Sequence, residues 1–352
     1  MDIHAQQLID KLASKHFLEV EEYRLLLESL EPELADYAST KARAARQPIY
    51  GTQVYTRGLI EISSYCKNNC YYCGLRRDNG SCQRYRLSPE EILACADEGY
   101  ELGFRTFVLQ GGEDPYFSDE VLVPLVTQLH TNHPDCAITL SLGERNRESY
   151  EALRDAGAER YLLRQEAASP ELYGQIHPQE MQLENRLRCL SGLKELGYAV
   201  GCGFMVGAPH QTSAHLAADL KFIEEFHPAM CGIGPFVPHH ATAYANEPQG
   251  SVVLTCFCLS LLRLIQPNLL LPATTSLGTI DPKGREKGML AGANVVMPNL
   301  SPAEVRAKYE LYDNKICTGE EAAECRSSLQ QRMAEIGYEV VIDRGDPKGG
   351  VC

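Results

Sequence analysis

The sequence is 352 residues long, with 44% apolar and 23% charged residues, a composition typical of a globular protein. Its 33 basic and 47 acidic residues give a formal charge of -14, which argues against a nucleic-acid partner because phosphates are also negative. The N-terminus carries charges where a secretory signal needs an apolar stretch, and no apolar run approaches the roughly 18 residues of a membrane span. We therefore expect a cytoplasmic protein with no membrane partner.

The first 50 residues carry apolar side chains at helical spacing, such as Leu8, Ile9 and Leu12, with many charges between them. This pattern predicts two or three amphipathic helices packed on the main domain. From residue 51 onwards, short apolar runs alternate with longer amphipathic stretches. The short runs predict strands at residues 59–63, 106–110, 137–142, 160–164, 199–205, 231–236, 270–276 and 293–297.

The longer stretches predict helices, the first of which follows Ser88, a residue type that caps helix N-termini. These helices are predicted at residues 89–102, 120–130, 147–155, 183–196, 214–226, 254–264 and 284–290. Alternating strands and helices form right-handed β-α-β units, and eight such units close into a TIM-type barrel. We therefore predict an α/β fold, a (βα)8 barrel over residues 51–310, with N-terminal helices over 1–50 and a C-terminal extension with a helical tail over 311–352.

Active sites of such barrels lie in the loops that follow the strands, and polar residues occur there in this sequence. These polar positions are residues 110–113, Ser141, Gly143, Glu144, residues 164–166, 205–209 and 235–240, and Thr274 and Thr275. Because all strands of a parallel barrel point the same way, we expect these positions to converge at one mouth of the barrel.

Three cysteines, Cys66, Cys70 and Cys73, follow the first predicted strand. Soft thiolates bind zinc, copper(I) or iron-sulfur clusters, so this group indicates a metal site. Zinc ribbons need a second ligand pair with matching spacing, which the sequence lacks. A four-iron cluster normally takes four cysteines, so three leave one iron with an open position, as in a reactive metal centre. Structural cysteines or a zinc site are the alternative.

The spacing Cys-x3-Cys-x2-Cys, with Tyr72 directly before the third cysteine, resembles the signature of the radical S-adenosylmethionine (SAM) enzymes. The resemblance implies that the amino and carboxylate groups of SAM chelate the open iron. It also implies that an electron from the cluster cleaves the sulfonium to give a deoxyadenosyl radical. The implied cofactors are therefore a 4Fe-4S cluster and SAM.

Longer segments make the resemblance more specific. They are YTRGLIEISSYCKNNCYYCGLRRDN, VLQGGEDPY, TLSLGE, RYLLRQE, ENRLRCL, GIGPFVPH, LPATTSLGTI and GANVVMPNLSP. Together, over residues 55–325, they resemble the HydE-type maturases of [FeFe]-hydrogenase. The resemblance implies a monomeric enzyme that acts on a small iron complex with carbon monoxide, cyanide and cysteine. Transient partners would be the other hydrogenase maturases and an electron donor such as ferredoxin or flavodoxin.

The same resemblance implies roles for individual residues. Cluster ligands would be Cys66, Cys70 and Cys73. Contacts to SAM are expected from Tyr72, Gly112, Glu113, Ser141, Arg164, Glu166 and Arg186. Substrate contacts are expected deeper in the barrel, from Gln110, Thr139, Thr274, Thr275 and Tyr309. As alternatives, Glu166 and Arg186 could form one ion pair between strand and helix, and the threonines could be ordinary strand residues.

The sequence departs from the family pattern at two places. Gln165 stands where family members often carry histidine. Some members hold a second cluster on three cysteines near the C-terminus, where this chain has Cys317, Cys325 and Ser328. Two thiolates and a hydroxyl are poor cluster ligands, so we expect no stable second cluster. His239 and His240 resemble a zinc ligand pair, but with no third partner in the sequence we interpret them as loop structure.

Two alternative functions share some of these features. A methylornithine-synthase or biotin-synthase type of reaction uses the same barrel and cluster, but the segments PATTSLGTI and GPFVPH favour the maturase. A non-catalytic iron-sulfur carrier would have no need of Glu113, Glu166 and Arg186 together. The sequence therefore favours a radical SAM maturase.

Overall fold

Helices and strands alternate along most of the chain in this computed structural model, which describes residues 2–316 and 322–349. The helices are α1 (Ile3–Lys15), α2 (Val20–Glu28), α3 (Pro32–Tyr50), α4 (Pro89–Glu101), α5 (Asp119–Asn132), α6 (Arg147–Asp155), α7 (Pro170–Ile176), α8 (Leu183–Glu195), α9 (Ser213–Phe226), α10 (Val252–Ile265), α11 (Thr275–Ile280), α12 (Gly284–Leu290), α13 (Ala303–Arg306) and α14 (Ala322–Glu335). The strands are β1 (Gln53–Thr56), β2 (Gly58–Ser63), β3 (Thr106–Gly111), β4 (Ala137–Ser141), β5 (Ala158–Leu162), β6 (Ala199–Cys202), β7 (Met205–Val206), β8 (Met230–Cys231), β9 (Gly234–Pro235), β10 (Val295–Val296) and β11 (Glu339–Val341).

Parallel pairing joins the strands into a closed ring. Six strands form one sheet in the order β2-β3-β4-β5-β6-β8. Single parallel bridges at Leu270 and Pro272 then connect β8 to β10. A last bridge from Asn299 to Leu59 of β2 completes the ring. The predicted (βα)8 barrel is therefore confirmed.

Five of the eight predicted strands overlap single observed strands, two are each split into two strands, and the third exception lies over residues 270–276. There, only Leu270 and Pro272 make strand bridges, and α11 begins at Thr275. Thr274 has the extended backbone of an N-cap residue, a position that threonine favours. The strand prediction was therefore wrong beyond residue 272. The prediction over 199–205 is split into β6 and β7 at Gly203, where a Cβ would overlap the carbonyl of Gly232. The prediction over 231–236 is split in the same way into β8 and β9, with Gly232 between them.

All seven predicted barrel helices are present, at α4, α5, α6, α8, α9, α10 and α12. Ser88 caps α4 as expected: its hydroxyl accepts from the Glu91 backbone N–H, and the Glu91 carboxylate accepts from that of Ser88. The sequence analysis missed α7, a short helix between β5 and α8. Its start has a recognisable signal, Ser169 as the cap followed by Pro170.

The three N-terminal helices pack on the outside of the barrel. Leu8, Ile9 and Leu12 of α1 are buried, as the spacing predicted. The Tyr23 hydroxyl in α2 donates a hydrogen bond of 2.6 Å to the Glu224 carboxylate in α9. Among the described helices, none has the length and apolar character required to cross a membrane.

The C-terminal segment covers the barrel mouth at which the strands begin. Strand β11 pairs in parallel with β1, and the chain then passes beneath β3 and β5. Arg160 of β5 is 2% exposed and donates to the Asp346 carboxylate at 2.6 Å and to the Arg344 carbonyl at 3.0 Å. The Thr106 hydroxyl donates to the same carbonyl at 2.7 Å. The described part of this segment does not cover the opposite mouth, where the strands end and where active sites of such barrels lie.

We expect Asp346→Ala to lower the free energy of unfolding by about 2 kcal/mol, because the buried guanidinium of Arg160 loses its carboxylate partner. The value is below that of a fully buried pair because the Asp346 side chain is 56% exposed. Burial acts to raise the pKa of Asp346, but its bonds to Arg160 and Arg344 outweigh this and lower the pKa. The contribution is therefore present at neutral pH and disappears as pH falls through that lowered pKa.

Chemical denaturation of the metal-free chain at pH 7 and at acidic pH measures this effect. Glu195→Ala is the matched control, because Glu195 forms an exposed ion pair with Arg147 and its loss should cost less than about 1 kcal/mol. An equal decrease in the free energy of unfolding for the two variants at pH 7 would contradict a role for Asp346 in closing this end of the barrel.

Candidate active site

A cavity of about 230 Å³ lies at the mouth where the strands end. Its walls come from the loops after β2, β3, β4 and β5, from α8, and from the segment before residue 312. The expected convergence of polar positions is therefore found in part at this cavity. The sequence-predicted residues that line it are Cys66, Cys70, Tyr72, Cys73, Gln110, Gly112, Glu113, Ser141, Arg164, Glu166, Arg186 and Tyr309.

The cysteine loop is held in place by backbone hydrogen bonds from distant parts of the chain. The Lys67 N–H donates to the Glu113 carbonyl after β3, and the Gly74 N–H donates to the Leu311 carbonyl, both at 2.9 Å. Side-chain bonds to the end of β2 add to this, since the Tyr65 N–H donates to the Ser63 hydroxyl at 3.1 Å. The loop is therefore fixed to the barrel rather than free in solvent.

Cys66, Cys70 and Cys73 are free thiols on one wall of the cavity. Burial raises the pKa of each thiol, to about 12 for Cys73, and the repulsion between neighbouring thiolates raises the pKa of Cys70 further. Without a metal, they are therefore protonated at neutral pH, whereas a bound metal deprotonates such ligands. No other cysteine of the described residues lines the cavity. Three soft ligands beside open space fit a four-iron cluster with one free coordination position.

Charged side chains face the thiols across the cavity. The Arg186 guanidinium lies 3.5 Å from the Glu113 carboxylate and 2.8 Å from that of Glu144. Burial acts to lower the pKa of Arg186, but the two carboxylates outweigh it and hold the pKa above its usual value. The Lys67 ammonium lies 3.3 Å from Glu113 on the outer side. A guanidinium next to carboxylates matches the carboxylate and ammonium of an amino acid.

Two glycines allow the loops beside the cavity to pack closely against one another. A Cβ at Gly112 would overlap the Tyr65 carbonyl and approach the Cys66 side chain, so a larger residue would displace the cysteine loop. Gly143 has a φ of +78°, and a Cβ there would overlap the Glu113 side chain. Close packing between the loops after β2, β3 and β4 therefore requires glycine at both positions.

Arg164 and Glu166 lie together at the end of β5. Their side chains form an ion pair of 2.9 Å, and the Arg164 guanidinium also donates to the Phe204 carbonyl at 2.9 Å. Glu166 has a φ of +66°, a strained backbone for a non-glycine residue that concentrates at functional sites. The alternative of an ion pair between Glu166 and Arg186 is not what the described side chains form, because Arg186 faces Glu113 and Glu144 instead.

Gln165, which stands where the family that the sequence resembles often carries histidine, does not line the cavity. Its side chain is fully buried, and its amide oxygen accepts a 2.9 Å hydrogen bond from the Gly203 N–H. The amide therefore links β5 to the chain between β6 and β7. Cys317 lies outside the described residues, as does the side chain of Cys325, so the expectation about a second cluster stays a prediction.

Two of the five residues predicted to contact substrate line the cavity, and three do not. Gln110 and Tyr309 line the cavity, and the Gln110 amide donates a long hydrogen bond of 3.4 Å to the Tyr309 hydroxyl. Thr139, Thr274 and Thr275 do not line it. Thr139 is fully buried in β4, and its hydroxyl has no hydrogen-bond partner among the described residues. Thr274 starts α11 and contacts its own turn through Ser276, at 3.1 Å.

His239 and His240 gain a third neighbour that the sequence did not reveal. Asp313 lies 2.8 Å from His240 Nδ1 and 3.8 Å from His239 Nε2. One nitrogen of each ring is already engaged, because His239 Nδ1 accepts from the Ala241 N–H and His240 Nδ1 donates to Asp313. A histidine that accepts at Nδ1 carries its proton at Nε2 and cannot offer that nitrogen to a metal. These bonds support the interpretation as loop structure.

Several cavity residues were missed by the sequence analysis. Asn68 and Leu75 lie within the cysteine loop, Leu162 and Leu163 at the end of β5, and Leu311 beyond Tyr309. The apolar members carry no chemical signal in the sequence, because a leucine after a strand reads as ordinary core. Only the closed barrel brings them to the cavity.

A family model for the radical SAM superfamily matches residues 60–223, which include the three cysteines, Glu113 and Arg186. Among solved structures, methylornithine synthase (PylB) is similar with a TM-score of 0.83 and 26% identity, covering 95% of this chain and 97% of that one. The [FeFe]-hydrogenase maturase HydG has the same fold, with a TM-score of 0.79, 22% identity, and coverage of 95% and 75%.

Curated relatives are more specific. The 3-methylornithine synthase of Methanosarcina acetivorans is 29% identical over 306 residues, which cover 86% of each chain. The [FeFe] hydrogenase maturase subunit HydE of Thermotoga maritima is 45% identical over 303 residues, also 86% of each chain. With this level of identity along nearly the whole barrel, the chain belongs to the HydE family of [FeFe]-hydrogenase maturases, within the radical SAM superfamily.

Proposed function

We propose that this chain holds a 4Fe-4S cluster on Cys66, Cys70 and Cys73 and uses it to cleave SAM reductively during maturation of [FeFe]-hydrogenase. The observation that carries the proposal is the meeting of three free thiols with Glu113 and Arg186 in one cavity. Three thiols alone would also be compatible with a non-catalytic iron-sulfur carrier. Such a carrier would not need a binding site for an amino acid beside its cluster.

The protein's own residues bind and orient the reactants. When bound, the cluster supplies the electron that cleaves SAM into methionine and a 5'-deoxyadenosyl radical. Glu113 accepts from the SAM amino group, and Arg186 donates to the SAM carboxylate. Glu166 accepts from the ribose hydroxyls. Ser141, Arg164 and Tyr72 complete the walls of the SAM pocket, with Gln110 and Tyr309 toward the substrate.

The proposed substrate is a small organometallic iron-cysteine complex with carbon monoxide and cyanide, used to assemble the two-iron subsite of the hydrogenase H-cluster. The 45% identity to the Thermotoga maritima maturase subunit supports this assignment. The chain would act as a monomer, with transient contacts to the other maturases and to a reductant such as ferredoxin or flavodoxin.

An amino-acid mutase of the 3-methylornithine synthase type is the second candidate. It is favoured by the TM-score of 0.83 to methylornithine synthase over 95% of this chain. The identity to such enzymes, 29% for the Methanosarcina acetivorans protein, is well below the 45% to the maturase subunit. The maturase therefore remains the better-supported function.

The cluster assignment predicts that the reconstituted chain forms 5'-deoxyadenosine from SAM once reduced with dithionite under anaerobic conditions. Cys70→Ala should abolish both the iron-sulfur absorbance and the product, because two remaining thiols cannot hold the cluster. Iron analysis, optical spectra and mass spectrometry of the nucleoside measure these outcomes.

Cys82→Ala is the control for this experiment. Cys82 belongs to the same loop region but does not line the cavity, so its loss should leave cluster content and product formation unchanged. A Cys70→Ala protein that retained its cluster or its product would contradict the ligand assignment. Cluster-loaded wild-type protein without product would favour the carrier.

The proposed role of Arg186 predicts that Arg186→Gln weakens SAM binding by at least about tenfold, because a charge-assisted bidentate contact is lost from a buried site. Equilibrium dialysis against the oxidised, cluster-loaded protein measures this affinity. Arg188→Gln is the matched control on the same helix, since Arg188 is exposed and bonds Asn185. Equal effects from the two substitutions would argue against the assignment.

The two candidate functions differ in the substrate that they consume. 3-Methylornithine is an isomer of lysine, so a mutase should convert lysine with SAM present. We expect no methylornithine from lysine, and faster deoxyadenosine formation when the iron-cysteine complex is added. Product analysis by mass spectrometry with each substrate in turn measures both. Methylornithine formation would reverse the assignment.

A further inference from the structure

The segment between β5 and α8 packs against the outer side of the cysteine loop. It contains α7, whose Leu172 and Ile176 belong to a small hydrophobic cluster that is separate from the main core and that also includes Leu183 of α8 and Phe236. Tyr72, the residue before the third cysteine, packs against this cluster. A helix that sequence analysis missed therefore supports the most reactive part of the chain.

Two further contacts tie the segment to the loop. The Tyr71 N–H donates to the Ile176 carbonyl at 3.0 Å, and the Cys70 sulfur lies 3.7 Å from the Met181 sulfur. Ile176 directly precedes His177 in the sequence, and Met181 lies four positions beyond it. The segment thus holds the part of the loop that directly precedes Tyr72.

Among the described residues, His177 is the one that forms a hydrogen bond with the Tyr72 side chain. Its ring is 2% exposed, with Nδ1 3.0 Å from the Tyr173 carbonyl and Nε2 3.2 Å from the Tyr72 hydroxyl. A carbonyl can only accept, so Nδ1 carries the proton and Nε2 is an acceptor. Burial, reinforced by the charge of Arg186, lowers the pKa of His177 to about 3, so the ring stays neutral. The Tyr72 hydroxyl therefore donates to His177.

The direction of this bond matters because a second acceptor, the Glu166 carboxylate, lines the same cavity as Tyr72. Burial raises the pKa of Tyr72, and among the charged groups Glu166 contributes most to that increase. A buried hydroxyl without a partner is costly, so without His177 it would turn to the Glu166 carboxylate. Glu166 would then be occupied by the protein itself rather than by the ribose of SAM.

We propose that His177 is a positioning residue for SAM: as a neutral acceptor it holds the Tyr72 hydroxyl away from Glu166 and fixes the Tyr72 ring in the cavity wall. The inference rests on the proposed function, because it assigns Glu166 to the SAM ribose. It adds a residue that touches neither SAM nor the cluster and acts only through Tyr72.

Equilibrium binding of SAM to the oxidised, cluster-loaded protein tests this role without any turnover. His177→Phe keeps the stacking on Tyr173, whose ring centroid lies 4.0 Å away, but removes the acceptor. We expect affinity to fall about five- to tenfold, the size of one hydrogen bond. His177→Gln, whose amide oxygen can accept, should bind within about twofold of wild type.

The rescue by a second substitution separates positioning from packing. Tyr72→Phe removes the hydroxyl that needs an acceptor, so the Tyr72→Phe, His177→Phe double variant should bind SAM as Tyr72→Phe alone does. A packing role would instead lower the thermal stability of the metal-free chain and leave the double variant weaker. Should the phenylalanine variant not accumulate, His177→Leu gives the same comparison.

The outcomes also distinguish this inference from the proposed function on which it rests. Wild-type protein that bound no SAM would contradict the proposed function and this inference together. Wild-type protein that bound SAM, with His177→Phe of equal affinity or a double variant without rescue, would contradict the role of His177 alone.

Discussion

Closure of a parallel ring is the constraint on which this protein depends. Parallel strands all end on the same side, so a ring of them brings every following loop to one mouth, however far apart the loops are in sequence. Single bridges at Leu270, Pro272 and Asn299 are enough to complete the ring. The cavity exists because this closure places the cysteine loop opposite the ends of β3, β4 and β5.

Much of this arrangement could be predicted from the sequence because the signals are local. Strand and helix periods extend over a few residues, and Ser88 caps α4 through its immediate neighbours. The three cysteines lie within one short loop, so their spacing alone indicates a metal site. The rule that barrel sites follow the strands then leads to Glu113 and Glu166 without any knowledge of distances, whereas Arg186, which lies within α8, was found only through the family resemblance.

The rest depends on contacts that no local pattern encodes. Asp313 meets the histidine pair only after the barrel has closed, and Leu311 reaches the cavity by the same route. Thr274 was misread because threonine serves equally well in a strand and at a helix cap, and its surroundings decide between them. The glutamine at position 165 suggested an altered active site in the sequence. In the structure, its side chain does not line the cavity and accepts a hydrogen bond from the Gly203 N–H.

The seal formed by Asp346 and Arg160 also bears on how the chain is made. β11 follows all the barrel strands in the sequence and so leaves the ribosome after them, yet it pairs with β1, which precedes them. During translation the nascent barrel therefore has an open lower end, where the Arg160 guanidinium meets water instead of a carboxylate. The side of the molecule away from the cysteines is therefore closed only after the barrel strands have been made, and this step does not disturb the cysteine loop at the other mouth.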